Sequence, residues 1–457
     1  MHTDIDLRNV KKIHIIGIEG AGTSALARLL KEMKKEVVGS DEGDHFYYDV
    51  LQEADIEVFH KFDANNIGDA DMVIHSTSCS PETNEELKKA LDSDIRTMTY
   101  PEVLGLVFNQ KFGIAVCGTH GKTTTAAMLA LAMKDAGADP TAIIGSKVKQ
   151  LGGGAMIGGS EYFIIEADEY QNKLKHYKPM AVVLTSVDYD HPDFFKTTED
   201  YLEVFRTFIR KIPAHGFLVA CGDDAEVIKI AEEARCQIIF YGKFDYKSEN
   251  GLIDDFEELG KKVSVIKTPK DLELKVPGEH NLLNATAALA VAKKIGSDER
   301  KTKESLSKFE GTARRFEKRG QRNGAEIIDD YAHHPEEVKA TLKAAREKYS
   351  DKKITVVFHP HTFTRTKALL GEFAQSFENA DKVFVLDIFG SAREKKGDVH
   401  SKDLVEKMQI YMKDVDYIPT IDDAFNELKD KLNSKDVLIT MGAGDVWKLA
   451  DKLVNKK

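Results

Sequence analysis

The run Gly118-Thr119-His120-Gly121-Lys122-Thr123-Thr124 carries the residue types best suited to chemistry. It lies between the strand-like FGIAVC and the apolar, helix-like TAAMLALAMKDAG. A strand, a glycine turn and a helix start aim successive backbone N–H groups at a phosphate, and the helix dipole favours the same negative charge. Lys122 then meets the β- and γ-phosphates of a nucleotide, and Thr123 offers its hydroxyl to Mg2+. The spacing departs from the usual phosphate-loop pattern, because position 116 is valine.

Two acidic clusters follow strand-like runs: Glu166-Ala167-Asp168-Glu169 after YFII, and Asp188-Tyr189-Asp190-His191 after AVVLTSV. In open parallel sheets ligands gather beyond the carboxyl ends of strands. Carboxylate and imidazole placed there can hold Mg2+ against nucleotide and substrate oxygens. One such cluster would read as a helix cap or a solvated loop; two, each following a strand of the phosphate-loop block, read as a site. Asp329-Asp330-Tyr331-Ala332-His333-His334-Pro335 ends a third such run and opens a helix, with proline suited to its first turn. Arg314-Arg315 just before it reads equally as a phosphate clamp or a solvated linker. Near the N-terminus, Gly17, Gly20 and Gly22 form a turn after a strand, with Asp41 ending the next strand. Glu19 stands where a dinucleotide fingerprint needs its middle glycine, which argues against NAD but leaves backbone N–H groups for a diphosphate.

These clusters need a scaffold, and the chain supplies strand-like runs alternating with amphipathic helices, the pattern of parallel α/β sheets. Three such blocks are expected, over 1–107, 108–315 and 316–457, with the charged FEGTARRFEKRGQRNGAE as the junction into the last. At 457 residues the length suits two or three domains. The net charge of −11 argues against nucleic acid or an anionic membrane as a partner, so cations for anionic substrates must be local. The four cysteines show no metal-ligand spacing, and neither a signal peptide nor a membrane-spanning run is read, so a reducing cytoplasm is expected.

In order, and along nearly the whole chain, these motifs resemble those of the Mur ligases. GTHGKTTT resembles the family's ATP loop, EADE its metal-binding acid motif and DYDH its second metal motif. PGEHNLLNATAALAVA is similar to its nucleotide-side helix, and GTARRFE and DDYAHHP complete the set. The resemblance implies an α/β fold of three domains: a Rossmann-like UDP-substrate domain, a central phosphate-loop ATPase-type parallel sheet, and a Rossmann-like C-terminal domain. It implies ATP and Mg2+, with Gly118, Thr119, His120, Gly121, Lys122, Thr123, Thr124, Asn281, Asn284 and Arg315 on the nucleotide. Thr123, Glu166 and His191 fall on the metal, and Lys122, Glu166, His191, Arg315, Asp330 and His333 on catalysis. The sugar nucleotide falls to Gly17, Gly20, Gly22, Ser40, Asp41 and Ser76, and the amino acid to Tyr331, His333, His361 and Arg365.

DDYAHHP, FHPHTFTRTK and LITMGAGDVWKLA most resemble the alanine-adding branch, which implies UDP-N-acetylmuramate and L-alanine as substrates of a monomer or homodimer. The chain departs from that branch at Glu19 and Thr23 in the first loop, at Lys61-Phe62 where a Gly-His pair is usual, at Tyr170-Gln171-Asn172, and at Thr185-Ser186-Val187. All of these are expected on the sugar-nucleotide side. Amide formation through an acyl phosphate is the chemistry implied, with closure of the third block over the second to exclude water. A muropeptide-recycling ligase would carry a longer insertion than 171–179 provides. An ATP-driven switch would hydrolyse nucleotide without a sugar substrate.

Overall fold

The computed structural model describes residues 7–43, 46–243, 256–258, 261–390, 394 and 396–454; the polar opening MHTDID lies outside them. Strands β1 (Lys12–Ile16), β2 (Glu36–Ser40), β3 (Glu57–Phe59), β4 (Met72–His75) and β5 (Arg96–Thr99) form a parallel sheet in the order β3-β2-β1-β4-β5. The winding reverses between β1 and β4, the point where doubly wound sheets leave a crevice. Gly17 follows β1, Asp41 follows β2 and Ser76 follows β4, so all three stand at the same sheet edge.

Beneath that edge, His14 Nε2 lies 3.1 Å from Glu86 Oε2, and Ser40 Oγ donates to the same oxygen. Asn66 Nδ2 (2.6 Å) and Asp63 N (3.0 Å) donate to Glu86 Oε1. Burial disfavours the Glu86 carboxylate, but these partners outweigh it and hold its pKa below the ordinary value. Ser40, expected on the substrate, is fully buried with its hydroxyl inside this cluster.

The second sheet holds β6 (Phe112–Cys117), β7 (Thr141–Val148), β8 (Gly153–Met156), β9 (Tyr162–Glu166), β10 (Ala181–Leu184), β11 (Phe217–Cys221), β12 (Gln237–Gly242), β13 (Phe256–Glu258) and β14 (Lys261–Lys267). Its order is β13-β14-β12-β11-β10-β6-β9-β7-β8, parallel except for the outer pairs β13–β14 and β7–β8. β6 lies between β10 and β9, so Glu166 at the end of β9 neighbours the loop leaving β6. The helix Lys122–Asp135 is buried nearly all round, which its Ala-rich sequence permits.

The third sheet holds β15 (Glu317–Arg322), β16 (Ala325–Asp330), β17 (Lys353–Phe358), β18 (Lys382–Val385), β19 (Val415–Tyr417) and β20 (Asp436–Met441), in the order β15-β16-β20-β17-β18-β19. Side chains alternate across it: Val356, Phe358, Val437 and Ile439 pack on one face, and Val357 and Leu438 on the other. The charged segment expected as a junction is partly this sheet's antiparallel edge strand, β15. Alternating charge suits an edge strand, because it discourages pairing with another chain.

By compactness the chain divides into two units, Met1–Val187 with Leu202–Leu272 and Leu283–Lys308, and Asp188–Tyr201 with Glu273–Leu282 and Phe309–Lys457. The first two sheets share one unit because the helix Ala21–Glu32 packs on the β7–β8 hairpin at its glycines. A Cβ on Gly154 would stand only 3.6 Å from the Ala25 methyl, and Arg28 Nη1 donates to Gly152 O. No helix among the described residues is long and apolar enough to cross a membrane.

Glu86→Ala is expected to cost about 3–5 kcal/mol, because it leaves His14 and its neighbours buried without the acceptor they share. Urea unfolding checks this, and a loss under about 1 kcal/mol would mean that water replaces the carboxylate.

Candidate active site

The loop after β6 is built on two left-handed glycines, Gly118 (φ +127°) and Gly121 (φ +78°). A Cβ on Gly118 would come 2.3 Å from Thr185 Oγ1, and one on Gly121 2.5 Å from Asn284 Oδ1, so neither position admits a side chain. Thr119 N donates to Ser186 O (2.8 Å), His120 N to Ser186 Oγ (3.0 Å), and Thr185 Oγ1 to His120 O (2.5 Å). The Thr185-Ser186 departure, expected on the sugar side, thus braces the nucleotide loop instead. The reason is topological: β10, which it follows, is the neighbour of β6.

Lys122 starts the helix and turns its ammonium back onto Gly118 O and Thr119 O (3.0 Å), with Glu169 Oε2 at 3.1 Å. Burial pulls its pKa down, but Glu169, Asp168 and Glu166 overcome this and hold it above the ordinary lysine value. Thr123 Oγ1 donates to Glu166 Oε1 (2.6 Å), and Gly145 N donates to Glu166 Oε2 (2.6 Å). Hydroxyl and carboxylate oxygens in contact are the hard donors that Mg2+ takes, so Thr123 and Glu166 fit such an ion. Thr125 Oγ1 donates to Asn284 Oδ1 (3.1 Å), which ties the helix Glu279–Lys294 to the helix that follows the loop, while Thr124 is half-buried.

On the first sheet, Glu19 N donates to Asp41 Oδ2 (2.8 Å). The Glu19 side chain is buried, with His60 Nδ1 3.7 Å away. An imidazole therefore stands at position 60, one residue before the Lys61-Phe62 pair singled out in the sequence. Gly17 backs onto Ser76, whose Cβ would lie 2.9 Å from a Cβ at position 17, and Gly20 caps the helix that follows. Gly22 faces the Tyr100 ring, whose phenol is raised by burial and by Glu166 and Asp168.

The second compact unit collects the remaining candidates. Arg365 forks onto Asp190, Nε to Oδ1 at 2.9 Å and Nη2 to Oδ2 at 3.2 Å, with both residues buried. Burial would raise the Asp190 carboxyl, but Arg365 and His191 hold it well below its ordinary value. His191 follows in a left-handed conformation (φ +57°), its N–H on Asp190 Oδ1 (2.6 Å). Arg365 Nη1 lies 3.3 Å from His361 Nδ1, and the His361 ring stacks on Phe389 and meets His333 edge-on. Burial lowers the pKa of His333, and burial with the Arg365 charge takes His361 well below its ordinary value, so both favour neutral imidazole.

Glu337, which sequence reading passed over, joins this group. Its Oε2 is 3.1 Å from His333 Nδ1 and its Oε1 3.5 Å from Arg315 Nη1. Its position on the first turn of the helix Pro335–Lys348 was the available signal. Arg314 and Arg315 flank the Tyr331 ring at 4.9 and 5.1 Å. Arg314 is anchored on Asp329 Oδ2 (3.0 Å) and Gly442 O (2.6 Å), in a strained left-handed turn (φ +60°) that presents its neighbour Arg315. Asp330 accepts from Phe316 N (2.7 Å) and Ala332 N (2.8 Å), so it braces the segments bearing Arg315 and His333. Asn281 Nδ2 donates to Pro277 O (2.6 Å), at the start of its own helix.

Three α/β sheets, with a glycine loop leading into the helix that starts at Lys122 on the second, are the parts of a nucleotide-binding enzyme. The Mur ligase family catalytic domain matches residues 12–112, the Mur ligase middle domain 116–292, and the Mur ligase glutamate ligase domain 314–444. The chain is 38% identical over 463 residues to the UDP-N-acetylmuramate–L-alanine ligase of Caldanaerobacter subterraneus subsp. tengcongensis, covering 99% of this chain and 100% of that one. It is 39% identical over 448 residues to the enzyme of that name from Desulfitobacterium hafniense, covering 97% and 99%. The crystal structure of UDP-N-acetylmuramate-alanine ligase from Thermotoga maritima superposes with a TM-score of 0.76 at 25% identity, covering 97% and 98%. This chain belongs to the Mur ligase family.

Asp330 yields a pH test. Burial is the largest influence on it and pushes its pKa up to about 6, against Arg315 and two backbone N–H donors. A raised folded-state pKa means that the folded protein holds the proton more tightly. The contribution is therefore complete below the ordinary 3.8 and lost as pH rises through about 6. Asp330→Asn is expected to flatten stability across that window, by on the order of 2–3 kcal/mol. Unfolding midpoints measured from pH 4 to about 7 check it, and parallel curves for parent and variant would refute it.

Proposed function

We propose that this protein joins L-alanine to the carboxylate of UDP-N-acetylmuramate at the expense of ATP, in peptidoglycan precursor synthesis. The observation that carries the site reading is the loop from Gly118 to Thr124, with Lys122 at the helix start and the Thr123 and Glu166 oxygens 2.6 Å apart. Near-complete coverage by the alanine-adding relatives supports the substrate pair.

A carboxylate oxygen of the sugar acid attacks the γ-phosphorus of ATP, and the bond to ADP breaks, leaving an acyl phosphate. The amine of L-alanine, its ammonium proton lost, attacks the acyl carbon, and inorganic phosphate leaves with the bonding pair. Phosphoryl transfer asks the protein for position and neutralising charge. Lys122 exchanges the carbonyls of Gly118 and Thr119 for phosphate oxygens, and the backbone N–H groups of the loop hold the rest. Thr123, Glu166 and His191 would hold Mg2+, which would neutralise charge on the phosphate oxygens. Arg315, on its strained turn beside Tyr331, supplies a further cation for the transferred group. Asp330 keeps that turn and the His333 segment in place. Tyr331, His333, His361 and Arg365 receive the amino acid, with the neutral imidazoles suited to an amine nucleophile.

Gly17, Gly20, Gly22, Asp41 and Ser76 take the sugar nucleotide at the switch point of the first sheet. Domain limits near 107 and 315, a cytoplasmic location, and a monomer or homodimer that binds neither nucleic acid nor membrane complete the proposal.

Phosphate release from ATP and Mg2+ is expected only when both UDP-N-acetylmuramate and L-alanine are present. Release with neither would make the protein an ATPase, and release with a peptide in place of alanine would make it a muropeptide ligase. Lys122→Ala is expected to lower turnover by about three orders of magnitude, since it removes charge stabilisation at the phosphoryl group; the fold is retained at a lower melting temperature, because Glu169 is left buried without its cation. Full activity in that variant would remove the loop from the mechanism.

A further inference from the structure

The β7 strand bulges out of regular pairing just where it reaches the Glu166 carboxylate. Its pairing with β9 ends at Ile143↔Ile165, and its pairing with β8 shifts register between Ile143 and Val148. Residues 144–147 therefore take their position from contacts other than the regular ladders. One contact is Gly145 N, which donates to Glu166 Oε2 at 2.6 Å. It is so close that a Cβ on Gly145 would also stand 2.6 Å from that oxygen.

Further contacts come from the first sheet's domain. Tyr47 Oη lies 3.4 Å from Gly145 O, a long hydrogen bond. Two residues on, the Lys147 ammonium sits 4.6 Å from the centre of the Phe46 ring and 5.7 Å from that of Tyr47, and pairs with Asp49 Oδ1 at 2.5 Å. The lysine side chain is 21% exposed, against 62% for Asp49, so the aromatic rings rather than the ion pair shelter it. An exposed ion pair alone holds little, whereas a cation against two ring faces with a carboxylate at its tip is a defined seat.

We infer that Lys147 is a positioning residue: seated on Phe46, Tyr47 and Asp49, it holds the Gly145 peptide so that its N–H fixes the Glu166 carboxylate for the metal. The sugar-nucleotide domain thereby sets the geometry of a group beside the ATP loop. A carboxylate whose hydrogen-bonding support is removed loses orientation, and metal affinity falls with it. The inference rests on the proposed metal role of Glu166, and its test is read without turnover.

The full chain is titrated with Mg2+ in the presence of a fluorescent, non-hydrolysable ATP analogue. Lys147→Met keeps the aliphatic stem and loses the charge; it is expected to raise the half-saturating Mg2+ concentration about tenfold. Its melting temperature should stay within about 2 °C of the parent. Tyr47→Phe, which loses only the bond to Gly145 O, moves the same way by a smaller factor. Lys147→Arg, which keeps a cation able to lie on the rings, restores the parent value. A parent-like Mg2+ dependence in Lys147→Met overturns the inference, as does a shift that only follows a fall in melting temperature. If the parent itself binds the analogue without regard to Mg2+, the metal role of Glu166 falls first and this inference with it. Substrate-dependent phosphate release would still decide the ligase reading separately.

Discussion

A lysine or arginine withdrawn from water must be given an anion, because burying a charge unpaired costs several kcal/mol. Each cation of the candidate site meets that condition with a carboxylate of its own. Lys122 has Glu169, Arg365 has Asp190, Arg315 has Glu337, and the supporting Arg314 has Asp329. A protein of net charge −11 can therefore offer positive charge to polyanionic substrates without spreading it over its surface.

These pairs work because their partners stand on rigid strand ends. Glu166 closes β9, the phosphate loop leaves β6, and Asp330 closes β16. Parallel pairing puts such ends on one edge of each sheet, and left-handed turns at Gly118, Gly121 and Arg314 aim the groups that follow. Braces of short range then set direction: Thr185 and Ser186 on the loop, Gly145 N on Glu166, and Phe316 N and Ala332 N on Asp330. Removing one of them would leave the chemistry's residues present but misdirected.

Much of this is legible without any coordinates. The alternation of Val- and Ile-rich runs with amphipathic stretches marks the long central strands, because a strand covered on both faces is apolar throughout. The glycine loop, the acidic clusters and DDYAHHP are visible because they are short local runs of distinctive residue types. Short strands such as β3, β5 and β19 leave no such mark, since three or four residues carry too little periodicity. Charged β15 reads as a junction in the sequence because an edge strand need not be apolar.

The sequence by itself thus determined the family, the α/β class and the chemical inventory, since motif and hydrophobic pattern are local properties of the chain. Only the tertiary structure decided how that inventory is used. It placed Ser40 in a buried cluster with His14 and Glu86, turned Thr185 and Ser186 into supports for the nucleotide loop, and gave Glu337 and Gly145 positioning contacts. It also joined the first two sheets into one compact unit and drew the Asp188–Tyr201 segment into the other. Most of these rest on contacts between residues tens to hundreds of positions apart. Their partners are chosen by strand order and burial, and neither is written in a residue's immediate neighbours.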